Sequence, residues 1–212
     1  MRIAVVSETS ARDKNPHIMA ALEGRGHEVI NAGMREDAVI PELTYLHTGF
    51  LAALLLNSKR VDLVVGGCGT GQGFLNSCMQ YPNVFCGLIL EPCDAWLFRQ
   101  INGGNCIALA LNKGYGWAGD VNLTFIFDHF FSVESGVGYP AHRKEAQRRS
   151  LTLLAALSLT THVPFHEIVR RIDAEVLKPV LDFPDVLDLV DIATIENRPL
   201  RDALQARMDE GR

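Results

Sequence analysis

The chain has 212 residues, of which 48% are hydrophobic and 21% are charged, a composition typical of a globular protein that buries a sizeable core. Its formal net charge is −5, which excludes a chain-wide basic surface for nucleic acid or for an anionic membrane. Its longest apolar run, residues 49–56, is much shorter than the roughly 20 residues of a membrane helix. We therefore expect neither nucleic-acid nor membrane partners.

From the first residue onward, short runs rich in β-branched residues alternate with helix-length segments. The strand patterns are continuous apolar runs, which is typical of strands buried on both faces, and they occupy residues 2–7, 27–32, 61–67, 83–90 and 105–111. The helix patterns between and after them occupy residues 16–25, 42–58, 72–80, 92–103 and 116–131. This alternation predicts an α/β fold, a Rossmann-like three-layer α/β/α sandwich around a five-stranded parallel sheet.

The segment 132–143 is a loop pattern with glycine and proline that leaves the sheet. Helix patterns follow it at 143–163, 165–178 and 198–210, with prolines between them. We therefore divide the chain into a core domain, 1–145, and a C-terminal helical extension, 146–212. The extension has apolar helix faces, which we expect to cover the core or a partner subunit.

Five cysteines occur, an odd number without a C-x-x-C pair, and they lie at positions 68, 78, 86, 93 and 106. This usage favours reduced thiols in a cytoplasmic protein. The N-terminus MRIAVVSET predicts a strand rather than a secretion signal. Because the cysteines fall on separate elements, we expect no metal site, and no sequence pattern indicates a cofactor.

The stretch VVGGCGTGQGF, residues 64–74, ends the third predicted strand with a cysteine inside a glycine-rich turn. The stretch does not match the dinucleotide-binding fingerprint, because neither Gln72 nor Phe74 is the third glycine that the fingerprint requires. It does not match the P-loop either, because it contains no Gly-Lys pair. A cysteine phosphatase needs an arginine where Phe74 stands. A nucleophile elbow needs glycine where Thr70 stands, so acyl transfer is weakened without being excluded.

The turn places a thiol, Cys68, directly before the unhindered amides of Gly69, Thr70, Gly71 and Gly73. Such amides at the start of a helix favour negative charge, including that of an enediolate oxyanion. A base and an oxyanion site on one loop favour proton abstraction beside a carbonyl. The alternative is that Cys68 is a small buried hydrophobe in an ordinary strand-to-helix turn.

The segment GGCGTGQG together with EPCDAWLFRQINGGN resembles the family of ribose-5-phosphate isomerase B and the galactose-6-phosphate isomerase subunits, over residues 1 to about 145. The resemblance implies that Cys68 is the base that moves a proton between C1 and C2 of a small carbohydrate through a cis-enediol. It implies that Thr70 supports the thiol and that Gly69, Gly71 and Gly73 form the amide cradle.

The resemblance also implies binding roles outside the cysteine turn. Asn102 matches the asparagine that contacts the sugar, and Arg143 matches one arginine of a phosphate clamp. Arg99 lies one helical turn before Asn102, where it contacts either the substrate or the dimer partner, or else caps its own helix. Active sites in this family are built between subunits, so a homodimer or a dimer of dimers is implied.

The chain departs from the family pattern at several positions. Ile101 stands where the family has a ring-opening histidine, and Glu8-Thr9 replaces an Asp-His pair after the first strand. Tyr139-Pro140 replaces the upstream Arg-His of the clamp. Glu8 is a candidate second acid/base or substrate ligand, with helix capping as its alternative. We therefore expect an aldose–ketose isomerase that acts on a small sugar or sugar phosphate. The alternatives are an isomerase restricted to open-chain carbohydrates and a catalytically silent sugar-phosphate-binding protein.

Overall fold

A computed structural model describes residues 1–210 and contains a five-stranded, all-parallel sheet. Its strands are Arg2–Ser7 (β1), Glu28–Asn31 (β2), Leu63–Cys68 (β3), Cys86–Ile89 (β4) and Cys106–Ala110 (β5). The spatial order is β2-β1-β3-β5-β4. All five strands lie within or one residue beyond the segments predicted from the continuous apolar runs, and the predicted fold class is confirmed.

Helices cover both faces of the sheet. Those of the first 131 residues are Asn15–Leu22 (α1), Tyr45–Asn57 (α2), Gln72–Cys78 (α3), Pro92–Leu97 (α4) and Gly119–Phe131 (α5). One face buries Phe50 of α2 and Phe74 of α3 in a continuous core with the sheet, and the other buries Phe127 and Phe130 of α5. A helix layer therefore packs on each side of the sheet, as the three-layer prediction requires.

Two glycines let the third strand lie close to its neighbours. A Cβ on Gly66 would lie 2.4 Å from Phe74 Cζ, and a Cβ on Gly67 would lie 2.3 Å from the Leu109 carbonyl oxygen. All six residues of β3 are buried. The double glycine before Cys68 thus reflects packing on both faces of the central strand.

Residues 144–210 contain five α-helices: Lys144–Thr161 (α6), Phe165–Arg171 (α7), Ala174–Leu181 (α8), Val186–Val190 (α9) and Arg198–Glu210 (α10). A short 3-10 helix, Ile192–Thr194, lies between the last two. The prediction of one helix over 165–178 is wrong, because Ile172 is extended and Asp173 begins a new helix by accepting a hydrogen bond from the Glu175 amide at 2.8 Å. Phe165 stacks on Phe50 with ring centroids 5.9 Å apart. These helices thereby close the core on the α2 side.

Helix α6 differs from the others because most of its apolar side chains face outward. Leu153, Leu157 and Leu159 are exposed, and Ser158 is its one buried residue. Within residues 1–210, no helix is both long and apolar enough to cross a membrane.

The strand order reverses direction between β1 and β3. The chain runs from β1 outward to β2 and then returns to place β3 on the other side of β1. In open parallel sheets, ligands bind in the crevice outside the carboxyl ends of the strands at such a reversal. Ser7 ends β1 and Cys68 ends β3 at this point, with Ser7 paired to Gly67.

Candidate active site

Cys68 is the last residue of β3 and is only 6% exposed. Its Sγ lies 3.9 Å from the Thr70 hydroxyl oxygen. Its carbonyl oxygen accepts hydrogen bonds from the amides of Gly71, at 3.2 Å, and Leu111, at 3.0 Å. The thiol therefore lies at the carboxyl end of the central strand, with Thr70 at its side.

The turn after Cys68 needs its glycines for two different reasons. Gly71 has a φ of +77°, and a Cβ there would lie 2.5 Å from Leu88 Cδ1. Gly73 has ordinary helical backbone, but a Cβ there would lie 3.1 Å from the ring of Tyr45. The backbone of this turn thus packs between Leu88 of β4 and Tyr45, the first residue of α2. The sequence patterns do not indicate Tyr45 as a neighbour of the site.

Glu8 follows β1 at the carboxyl end of the sheet, where Cys68 ends β3, and is 3% exposed. Its carboxylate accepts a hydrogen bond from the Ser10 hydroxyl and makes no capping bond to the short helical turn Thr9–Lys14. The Asn112 side chain donates to the Ser10 carbonyl at 2.8 Å, while the Asn112 amide donates to the Gly69 carbonyl at 3.0 Å. Ser10 and Asn112 thus connect the buried carboxylate to the cysteine turn, and neither was singled out from the sequence.

Arg99 and Asn102 lie in a π-helical turn, Phe98–Asn102, at the opposite end of the sheet. This turn precedes β5, whose first residue, Cys106, pairs with Val64, whereas Ala110 pairs with Cys68. Four strand residues span about 13 Å at about 3.3 Å each. The fold therefore does not bring Asn102 to the Cys68 of its own chain.

The contacts of the Arg99 side chain also place it at the amino end of the sheet, away from Cys68 of the same chain. Its guanidinium lies 4.9 Å from the centre of the Phe130 ring, and its Nη2 lies 3.8 Å from the sulfur of Met1, before the start of β1. Burial lowers the pKa of the Arg99 guanidinium, and its Nε has no hydrogen-bond partner among the described residues. Within residues 1–210, the Arg99 side chain donates no hydrogen bond to a carbonyl of its own helix, so it does not cap that helix.

His27 directly precedes β2 at the amino end of the sheet, and its ring centroid lies 4.5 Å from that of Phe131. Burial lowers its pKa below the ordinary value of 6.5, with further contributions from the positive charges of the Met1 amino group, Arg99 and Arg25. A hydrogen bond involving the Gly26 backbone opposes the shift without cancelling it.

Arg143 ends the short helical turn Ala141–Arg143 just before α6 and is exposed. The loop that leads to it is anchored to the π-helical turn, because the Gly136 and Gly138 amides donate to the carbonyls of Arg99 and Gln100 at 2.9 and 2.8 Å. Within residues 1–210, Arg143 forms no ion pair. Arg143 therefore follows a loop fixed beside Arg99 and remains free to bind an anion.

Three of the five cysteines meet in the core away from Cys68. The sulfurs of Cys78, Cys86 and Cys106 lie within 4.8 Å of one another. Hydrogen bonds from the Cys106 and Cys78 thiols lower the pKa of Cys86 to about 5, while burial raises the pKa of both partners. Location on separate elements does not keep these thiols apart, because the sheet pairs Cys86 of β4 with Cys106 of β5.

Comparison with known proteins gives a consistent result. The sequence model of the Ribose/Galactose Isomerase family matches residues 3–147. No curated protein matches the chain. The chain is similar to the crystal structure of a 4-deoxy-L-threo-5-hexosulose-uronate ketol-isomerase complexed with a tartrate, with a TM-score of 0.90 at 34% identity, covering 99% of this chain and 100% of that one.

It is also similar to a ribose-5-phosphate isomerase from Vibrio parahaemolyticus, with a TM-score of 0.90 at 40% identity over 97% of this chain and 98% of that one. A ribose 5-phosphate isomerase from Thermotoga maritima matches at 25% identity with a TM-score of 0.58, over 71% of this chain and 96% of that one. The family match spans more than half of the chain, and two isomerases align with nearly all of it. The chain therefore belongs to the ribose/galactose isomerase family, and it is an isomerase, an intramolecular oxidoreductase.

Proposed function

We propose that the protein is an aldose–ketose isomerase acting on a small sugar phosphate, with Cys68 as the base. The observation that carries the proposal is the thiol at the end of β3, buried beside Thr70 at the start of the glycine-rich turn. The buried Glu8 follows the end of the neighbouring strand, β1. This arrangement lies at the reversal of strand order, where such sheets bind their ligands.

The proposed reaction is a proton transfer that needs no external oxidant. The Cys68 thiolate takes the proton from the carbon beside the carbonyl, and the electron pair of that C–H bond forms the carbon–carbon double bond of a cis-enediolate. Return of the proton to the neighbouring carbon reduces one carbon and oxidises the other. The amides of Gly69 and Gly73 stabilise the enediolate oxygen, and Thr70 orients the thiol. The Gly71 amide donates to the Cys68 carbonyl, so Gly71 contributes by shaping the turn.

Glu8 is proposed to move the second proton, between the two oxygens of the enediol. The position of Glu8 supports this role, because its carboxylate is buried at the carboxyl end of the sheet, as Cys68 is. Hydrogen bonds through Ser10 and Asn112 connect the carboxylate to the Gly69 backbone. Ser10 holds one carboxylate oxygen and so limits its rotation.

The positions of the proposed substrate-binding residues favour a site shared with a second subunit. Arg99 and Asn102 lie at the amino end of the sheet, and Arg143 follows a loop anchored there, so they reach a Cys68 only if it belongs to another copy of the chain. We therefore propose a homodimer, or a dimer of dimers, with shared active sites. The exposed leucines of α6 support this assembly, because they form an apolar face that residues 1–210 leave uncovered.

Mixing two inactive variants tests the shared site. Cys68→Ala and Asn102→Ala each disable one half of every site, but a mixed dimer contains one site with both native residues. Random subunit exchange then restores roughly a quarter of native activity, because half of the dimers are mixed and each has one intact site of two. No recovery after verified subunit exchange would contradict the shared site.

A second candidate for the substrate is an open-chain keto-uronate. Ile101 occupies the position before Asn102 and has no group that could transfer a proton to open a sugar ring. The ketol-isomerase that aligns with 99% of this chain is named for a hexosulose-uronate. In both candidates, Arg143 is proposed to bind the acidic group of the substrate, whether phosphate or carboxylate.

The decisive assay compares turnover of ribose 5-phosphate, galactose 6-phosphate and 4-deoxy-L-threo-5-hexosulose-uronate by the purified protein. Turnover confined to the uronate favours the open-chain candidate, and turnover of a sugar phosphate favours the other. Binding without turnover, unchanged by Cys68→Ser, would instead establish a silent binding protein. We also propose a cytoplasmic location, because all five cysteines are free.

A further inference from the structure

The buried thiols of Cys78, Cys86 and Cys106, here called the thiol triad, have no part in the proposed isomerase reaction. Cys78 ends α3, Cys86 begins β4 and Cys106 begins β5, so three different elements each contribute one sulfur. Cys106 pairs with Val64, whereas Cys68 pairs with Ala110 at the other end of the same strand pair. The thiol triad is thus a separate constellation within the core.

The spacing of the sulfurs matches that of ligands around one metal ion. The Cys78 and Cys106 sulfurs are 3.8 Å apart, and all three lie within 4.8 Å of one another. With metal–sulfur bonds of about 2.3 Å, ligand sulfurs lie about 3.8 Å apart in a tetrahedral site and about 4.0 Å apart in a trigonal one. A metal therefore fits after small side-chain movements.

The donor set selects the kind of metal. All three donors are sulfur, which favours soft ions over Mg²⁺ or Ca²⁺. Protein-bound zinc is almost always four-coordinate, and within residues 1–210 no histidine or carboxylate joins the group as a fourth ligand. Three soft ligands suit Cu(I), which accepts low coordination numbers and prefers thiolates.

Burial and access are also compatible with such a site. Cys78 and Cys106 are fully buried in the apolar core, which excludes water and solvent oxidants from two of the ligands. Cys86 is partly exposed on β4, the edge strand of the sheet, and so offers a route for the ion. Each thiol that binds the ion loses its proton.

We propose that the thiol triad is a Cu(I)-binding site with trigonal sulfur coordination. The test uses the reduced full-length protein without oxygen, Cu(I) as the probe, and a coloured Cu(I) chelator as competitor. One equivalent of Cu(I) per chain is expected to leave the chelator. Cys86→Ala should weaken binding by about 100-fold or more, since changes even outside the ligand set commonly cost 10–100-fold in affinity.

Cys93→Ala is the matched control, because Cys93 is exposed and outside the thiol triad. This variant should bind Cu(I) as the native protein does. X-ray absorption of the native complex gives a readout that needs no variant, and it should show three sulfur neighbours around copper. Absence of binding, fewer than three sulfur neighbours, or an equal loss in Cys93→Ala would overturn the proposal.

Discussion

Substituting Gly71 by alanine tests the geometry of the cysteine turn quantitatively. The φ of +77° places the residue in the left-handed region, which costs an L-residue about 1–2 kcal/mol. The new methyl group would also lie 2.5 Å from Leu88 Cδ1 and 3.1 Å from the Leu109 carbonyl oxygen. Overpacking of this kind costs about 1–3 kcal/mol more, so Gly71→Ala should lower the free energy of unfolding by about 2–5 kcal/mol.

Gly26→Ala is the control that separates the two contributions. Gly26 has a similar φ of +73°, but a Cβ there would have no atom within 4 Å. This variant should lose only the backbone cost of about 1–2 kcal/mol. Urea denaturation of both variants and of the native protein, followed by circular dichroism, measures the difference.

The comparison also has a catalytic readout. The Gly71 amide donates to the Cys68 carbonyl, so displacement of the turn should lower kcat in Gly71→Ala and leave kcat unchanged in Gly26→Ala. Equal losses of stability in the two variants would refute the close contact with Leu88. Unchanged kcat in a Gly71 variant that has lost stability would refute the catalytic role of the turn.

Two further predictions concern stability. Phe165→Ala should destabilise the protein by about 3–5 kcal/mol, because it removes a buried aromatic ring that stacks on Phe50. Val163→Ala, at a half-exposed position, is the control and should change stability by about 0.5 kcal/mol or less, as measured by thermal unfolding. The pKa of His27 in the folded protein lies below 6.5, so the unfolded chain binds a proton at this residue more readily than the folded chain does. The free energy of unfolding is therefore higher above pH 6.5, where His27 is neutral, and it decreases as the pH falls from 6.5 through the folded-state pKa. His27→Asn should therefore flatten the loss of stability below pH 6.5 in acid titrations followed by fluorescence, and an unchanged slope would contradict the assignment.

Hydrophobic patterning predicts most of the fold correctly. Continuous apolar runs such as 61–67 identify strands buried on both faces, and the place of Cys68 at the carboxyl end of such a run indicates a ligand crevice. These inferences depend on neighbouring residues in sequence, and local patterns contain that information.

The missed features depend on contacts between distant segments. The stacking of Tyr45 on Gly73 and the meeting of Cys86 with Cys106 follow from the sheet order, which no local pattern encodes. The helix break at Asp173 did have a local signal, since aspartate commonly caps a helix through the amide two residues later. The sequence pattern does not predict helix α9, Val186–Val190, because the prolines around it are typical of a loop.

The most direct test of the proposed reaction is exchange of solvent deuterium into the C2 carbon of a substrate that the protein turns over. Mass spectrometry should detect deuterium with the native protein and with Cys93→Ala, whose altered thiol lies outside the site. Cys68→Ala should abolish the exchange while retaining native circular dichroism. Exchange by Cys68→Ala at the native rate would contradict the role of Cys68 as the base.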